Sequence, residues 1–112
     1  MAIEYTVLKY LNDHLDGVSA YMEEPYNPES KYVLIEKTGS SKANFIKKAT
    51  FAIQSYGESL QEAIDLNDEV KEVMDEFWNH YAIYSCKLNS DYNFTDTETK
   101  RYRYQAVFDI SY

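Results

Sequence analysis

Few side chains in this chain are of types that do chemistry, and their spacing limits what each can do. His14 and His80 are the only histidines, and neither stands at a metal-binding interval from the other or from Cys86. His14 fits a surface or helix-end role. His80, beside Trp78 and Tyr81, fits an aromatic boundary cluster. Cys86 is the single cysteine and falls on an expected strand, where a thiol is a small core residue rather than an activated nucleophile. The acid pairs Glu23-Glu24 and Asp75-Glu76 have the make-up of a general acid and base, but such a pair needs a cleft to separate the two roles. Asp91, Asp96 and Glu98 offer hard oxygen ligands to a cation, yet their spacing is not that of a calcium loop. The three glycines, 17, 39 and 57, sit singly at element boundaries, so no phosphate-cradling loop exists. These residues describe a non-enzyme that needs no metal and no cofactor.

The elements that would position these groups follow from periodicity. Ile3, Val7, Leu8, Leu11 and Leu15 recur at helical spacing, which predicts a helix from about Ile3 to Asp16, stopped at Gly17. Val18 to Met22 reads as a short strand. Pro25 and Pro28 make Glu23 to Ser30 a loop. Lys31 to Thr38 is a strand rich in β-branched and aromatic residues, the 39–44 segment a polar connection, and Phe45 to Tyr56 a second strand of an antiparallel hairpin. Ser59-Leu60-Gln61-Glu62 is a capping box. It opens a helix of roughly five turns whose inner stripe is Ala63, Leu66, Asn67, Val70, Val73, Met74 and Phe77, ending at Trp78 to Tyr81. Ile83 to Leu88 reads as a strand and Asn89 to Lys100 as a polar loop.

The last twelve residues carry the clearest pattern. Tyr102, Tyr104, Ala106, Phe108, Ile110 and Tyr112 alternate with Arg101, Arg103, Gln105, Asp109 and Ser111, as expected of a strand with one packed face and one wet face. Such a strand must pair within the subunit or with a neighbour. The whole reads as one α+β domain over residues 1–112: a mainly antiparallel sheet of four to five strands with two principal helices packed on it, in the order α-β-β-β-α-β-β.

Composition narrows the function classes. With 45% hydrophobic and 27% charged residues, the chain is of ordinary globular type. No apolar run reaches the ~20 residues of a membrane span, and the N-terminus lacks the pattern of a signal peptide. The lone cysteine suits a reducing compartment, and the Asn93-Phe94-Thr95 sequon is read as coincidence. A net charge of −8, with eleven basic residues scattered among nineteen acids, argues against phosphate-backbone binding. Between Glu58 and Glu76 stand eight acids and one base, Lys71: a solvated helix face, or a surface for a basic partner. Twelve tyrosines exceed what a small core needs. They flank the two long loops, Tyr21, Tyr26 and Tyr32 at one and Tyr92, Tyr102 and Tyr104 at the other, as contact surfaces would.

Several runs together resemble a known family. They are Glu24-Pro25 with Pro28, Tyr32 to Gly39, Ala49 to Tyr56, Glu62-Ala63 with Leu66-Asn67, Tyr92 to Asp96, and Arg103 to Phe108. In order and spacing, over residues 15 to 112, they are similar to the tail terminator (tail completion, or head–tail joining) proteins of long-tailed phages, of the Gram-positive prophage type. The resemblance implies a structural virion protein of the tail neck, assembled in the host cytoplasm. It would form a homo-oligomeric ring, a hexamer, that ends tail-tube polymerisation and offers the head-joining surface. The implied partners are the tail tube protein and a head-completion or connector protein. DNA would pass through without specific binding, and no membrane is involved. A ring joins subunits head to tail and so needs two different faces. The last strand and the 89–100 loop are expected to form one contact surface, through Tyr92, Phe94, Asp96, Arg101, Arg103 and Gln105. The second is expected from the 23–30 loop, with Tyr26, or the 39–44 connection. The competing class is a small acidic inhibitor, a DNA mimic or an immunity-type protein, that binds a basic partner.

Overall fold

The computed structural model describes residues 2–80 and 83–112. Helix α1 spans Ile3–His14, β1 Ala20–Tyr21, β2 Tyr32–Ala43, β3 Ile46–Gly57, helix α2 Leu60–Asp75, β4 Ser85–Asn93 and β5 Tyr102–Ser111. The strands form one sheet in the order β1-β2-β3-β5-β4. The β1–β2 pair is parallel and every other pair antiparallel. The fold is α+β in the expected element order.

The alternation of β5 does the work its pattern implied. Ala106, Phe108 and Ile110 lie opposite Ile53, Phe51 and Ala49 of β3, and all six are buried. Val7 and Leu11 of α1, Leu66, Val70 and Met74 of α2, and Val33 and Ile35 of β2 join the same cluster. Both helices therefore cover one face of the sheet. Burying aliphatic and aromatic groups of this size contributes about 1.5–3 kcal/mol each against exposure, so this single layer is the main source of stability.

The helix ends show how local chemistry sets the frame. Ser59 Oγ accepts from Glu62 N at 3.2 Å, while Glu62 Oε1 accepts from Glu58 N at 3.1 Å, one residue before the site of a reciprocal capping box. Gly57 permits this approach: a Cβ there would stand 2.7 Å from Glu62 Cβ and 2.8 Å from Ala63 N. α1 ends at His14, two residues short of the expected Asp16, where Leu15 turns extended; Gly17 follows at φ +68°. Asn12 then fastens the chain beyond it, accepting from Ala20 N at 2.8 Å and donating to Ala20 O at 3.2 Å.

Other expected boundaries move as well. The 39–44 segment is not a connection: β2 runs through it to Ala43, with a bulge between Lys37 and Gly39, and the turn is Asn44-Phe45 alone. β4 begins at Ser85, not Ile83, and continues past Leu88 to Asn93, with a bulge between Leu88 and Ser90. The expected loop from Asn89 thus starts only after Asn93. α2 stops at Asp75, followed by a 3-10 turn at Phe77–Asn79; the Tyr81 end of the expected helix boundary lies outside the described residues.

Candidate functional site

The face of the sheet away from the helices holds the most organised side-chain cluster. Register puts Tyr32 opposite Tyr56, Tyr56 opposite Arg103, Gln54 opposite Gln105 and Tyr92 opposite Gln105, all on that one face. Tyr32 and Tyr56 stack with ring centroids 4.5 Å apart and planes 5° from parallel. The guanidinium of Arg101 lies 5.0 Å and that of Arg103 5.8 Å from the Tyr56 centroid, and Arg103 also lies 4.5 Å from Phe94. Cations over aromatic faces are held by the ring quadrupole.

Hydrogen bonds tie the stack together. Tyr32 donates to Glu24 Oε1 at 2.6 Å, and Arg101 donates to both Glu24 and the Tyr32 hydroxyl oxygen. Arg103 Nη1 donates to the Tyr56 hydroxyl at 3.0 Å, which donates to Gln54 Oε1 at 3.0 Å. Gln54 Nε2 donates to Gln105 Oε1 at 2.9 Å, and Gln105 Nε2 to the Tyr92 hydroxyl. Arg103 Nε donates to Phe94 O at 2.6 Å, joining the next loop to β5. Tyr92 and Phe94 meet edge to face at 6.0 Å.

The electrostatics are those of a locked platform. Burial and the Glu24 acceptor raise the pKa of the Tyr32 hydroxyl. Burial works against ionisation of Glu24, but the Tyr32 hydroxyl and the Arg101 guanidinium outweigh it and leave its pKa lowered. Glu24 in turn holds the charge on Arg101. The shift keeps the Tyr32 hydroxyl protonated, as a donor to Glu24 rather than a phenolate, and the donors around it are already engaged. The arrangement is suited to recognition by guanidinium and aromatic surfaces.

Most of the residues singled out from the sequence converge here. Tyr92, Phe94, Arg101, Arg103 and Gln105 share the cluster. Gln105 departs from its expected place on a wet face: it is only 8% exposed, as is Gln54, because the two amides satisfy each other under the tyrosines. Asp96 shapes the turn that returns Arg101, bridging it across the strand ends and accepting from Glu98 N at 3.0 Å. Tyr26 stands 97% exposed in the loop between β1 and β2, while Glu24 of that loop is the residue that reaches the cluster. Tyr32 was expected at a contact surface beside the 23–30 loop and Glu24 only as half of an acid pair; Gln54 and Tyr56 were not anticipated. Hairpin counting could have found the tyrosines. A two-residue turn at Asn44-Phe45 sets Tyr32 against Gly57, and one bulge moves it to Tyr56.

The two histidines and Cys86 lie outside this cluster. His14 Nδ1 lies 2.8 Å from Tyr10 O and its ring stacks on Tyr10, while His80 stacks on Phe77 and meets Tyr10 edge-on. Both histidines therefore flank one tyrosine, whose hydroxyl donates to Val73 O at 2.6 Å. Burial, with Asp75 and Asp109 nearby, pushes the Cys86 thiol up to about 12. A cavity of about 460 Å³ beside Ser40, Lys48, Thr50, Lys87 and Asp109 is polar, and Asp109 is held there by Thr50 and Asn89. Among the described residues, no group of three His, Cys, Asp or Glu side chains is placed to hold a metal ion. Among them, too, no helix is long and apolar enough to cross a membrane.

Comparison with protein-family models and with curated protein sequences gives no match.

On the helix face, Asp91 joins α2 to β4: Asn67 Nδ2 and Lys71 Nζ each donate to its Oδ2 at 2.9 Å. The Lys71 ammonium, with Asn67, lowers the Asp91 pKa against the opposing effect of burial. A carboxylate whose folded pKa is depressed stabilises the fold above its unfolded value of ~3.9, and loses that contribution as pH falls through the folded value. Asp91→Asn should therefore cost about 1–2 kcal/mol near neutral pH and progressively less in acid. Urea titrations of both proteins at a series of pH values check this; a difference that stays constant down the acid range would contradict it.

Proposed function

We propose that this protein is a ring-forming assembly subunit of the phage tail-terminator type, which caps the tail tube and presents a joining surface to the head. The observation that carries this reading is that one subunit has two unlike open sheet edges. Among the described residues, β1 pairs only with Val33 and Leu34 of β2, which leaves the rest of that long strand without a strand partner on its outer side; β4, at the other end of the sheet order, likewise has no strand on its outer edge. Open edges are templates for further strands, and unlike edges on one subunit suit head-to-tail contacts. The residue pattern resembling tail terminators supplies the biological setting. The tyrosine–arginine platform supplies a rigid contact surface of the kind that interfaces favour.

The platform is the proposed joining surface. Phe94 is partly exposed and lies at the cluster's margin, so its removal leaves the sheet intact. Phe94→Ala should reduce head–tail joining in a reconstituted assay by more than tenfold, a hot-spot loss, with thermal unfolding shifted by only a few degrees. Unimpaired joining would remove the platform from the account.

A second reading has one observation behind it. Glu58, Asp65, Asp68, Glu72, Asp75 and Glu76 all lie exposed around α2, a charge density that suits a basic protein partner. An inhibitor of that kind would act as a monomer or dimer and displace DNA from its target.

A further inference from the structure

The β2–β3 hairpin is unlike the rest of the molecule. All residues from 38 to 48 are exposed, and its two-residue turn has positive φ at both positions, Asn44 at 51° and Phe45 at 65°. That type of turn favours Asn-Gly; a bulky side chain in the left-handed region is strained. Yet position 45 carries phenylalanine, 93% exposed. Lys42, Lys47 and Lys48 surround it, with no acid anywhere between Lys37 and Thr50. A strained aromatic thus stands in solvent at the tip of a basic arm, on a chain of net charge −8.

A complementary site exists elsewhere on the chain. Between α2 and β4 lies a cavity of about 260 Å³ lined by Met74, Cys86, Leu88 and Phe108, with Glu72, Asp75 and Lys71 among its walls, the lysine already paired with Asp68 and Asp91. An apolar cavity of about 150 Å³ already accepts benzene, so there is room for one phenyl ring. Leu88 is left exposed beside it. The charges match the arm: α2 and its flanks carry eight acids and one lysine.

We infer that the hairpin tip of one subunit docks in the α2–β4 cleft of a second copy, with Phe45 filling the apolar floor and Lys42 and Lys47 facing Glu72 and Asp75. This rests on the self-assembly part of the proposed function and names the two surfaces involved. The contact is heterologous, and it joins the β2 end of one sheet to the β4 end of the next. Because its charged pairs are exposed, it weakens as salt rises.

The test uses the purified full chain, so that its outcome is separate from any tube-capping result. In sedimentation velocity over a concentration series, Phe45→Gly should weaken self-association at least tenfold while raising Tm, since glycine relieves the turn. Lys42→Glu/Lys47→Glu and Glu72→Lys/Asp75→Lys should each be monomeric alone and should associate when mixed, because each then offers the other a matching surface. In a Cys86→Ser background, Ile46→Cys/Leu88→Cys should give a disulfide ladder on mild oxidation, with 46–88 linked peptides by mass spectrometry. Absence of those peptides, or charge-swapped proteins that fail to associate on mixing, would overturn the inference. So would a hairpin whose variants lose binding to a short fluorescent single-stranded oligonucleotide while self-association is untouched.

Discussion

Replacing Tyr56 by alanine should destabilise the protein by about 3–5 kcal/mol, the range for deleting a large buried aromatic. The ring is 4% exposed, stacks on Tyr32 and lies beneath both guanidinium groups. Its hydroxyl is the link between Arg103 and Gln54. Alanine removes the packing and leaves the Gln54 carbonyl, buried, without that donor. Tyr56→Phe keeps the stack and removes only the hydroxyl, so it should cost about 1–2 kcal/mol. Urea unfolding with an unchanged m-value separates the two. Equal costs for both variants would mean that the hydrogen bonds, not the stacked rings, hold this face together.

Phe77→Ala should be as severe, again about 3–5 kcal/mol, but through the opposite face. Phe77 is fully buried where α2 gives way to the 3-10 turn, edge-on to Tyr10 at 4.7 Å and stacked on His80 at 5.7 Å. It joins α1, α2 and the segment leading to β4. Its loss opens a cavity where three elements meet, in a domain whose total stability is about 5–15 kcal/mol. Phe45→Gly should stabilise the subunit, because that ring touches solvent and costs backbone strain. Thermal unfolding of the two variants should move in opposite directions. Destabilisation by both would mean the hairpin tip packs within its own subunit.

What the sequence revealed tracks where burial shaped it. β5 was legible because Ala106, Phe108 and Ile110 must face the helices, and α2 because Ser59 and Glu62 announce its start. The hairpin tip was illegible for the converse reason. Residues 39 to 43 pair in register but bury nothing, so no alternation marks them, and Gly39-Ser40-Ser41 imitates a turn. The 89–93 stretch was hidden in the same way, its one structural carboxylate, Asp91, being held by Lys71 twenty residues earlier. Arg101, Arg103, Tyr92 and Phe94 could be picked out as a group because they cluster in sequence. Glu24, Tyr32 and Tyr56 join them only through strand register and a loop contact, which no local pattern encodes. Gln105 was misplaced because a polar residue on the outer phase of a strand signals solvent, whereas here Gln54 and Tyr92, on the strands either side, take its hydrogen bonds.

We propose that this chain caps a tube by assembling around its end. The most direct measurement is negative-stain imaging of purified protein mixed with tail tubes, at high protein concentration. The account predicts ring-shaped density on one end of each tube and no further tube growth. Tubes that stay bare and continue to polymerise, with the protein remaining monomeric or dimeric and displacing DNA from a basic protein, would contradict it and favour the inhibitor reading.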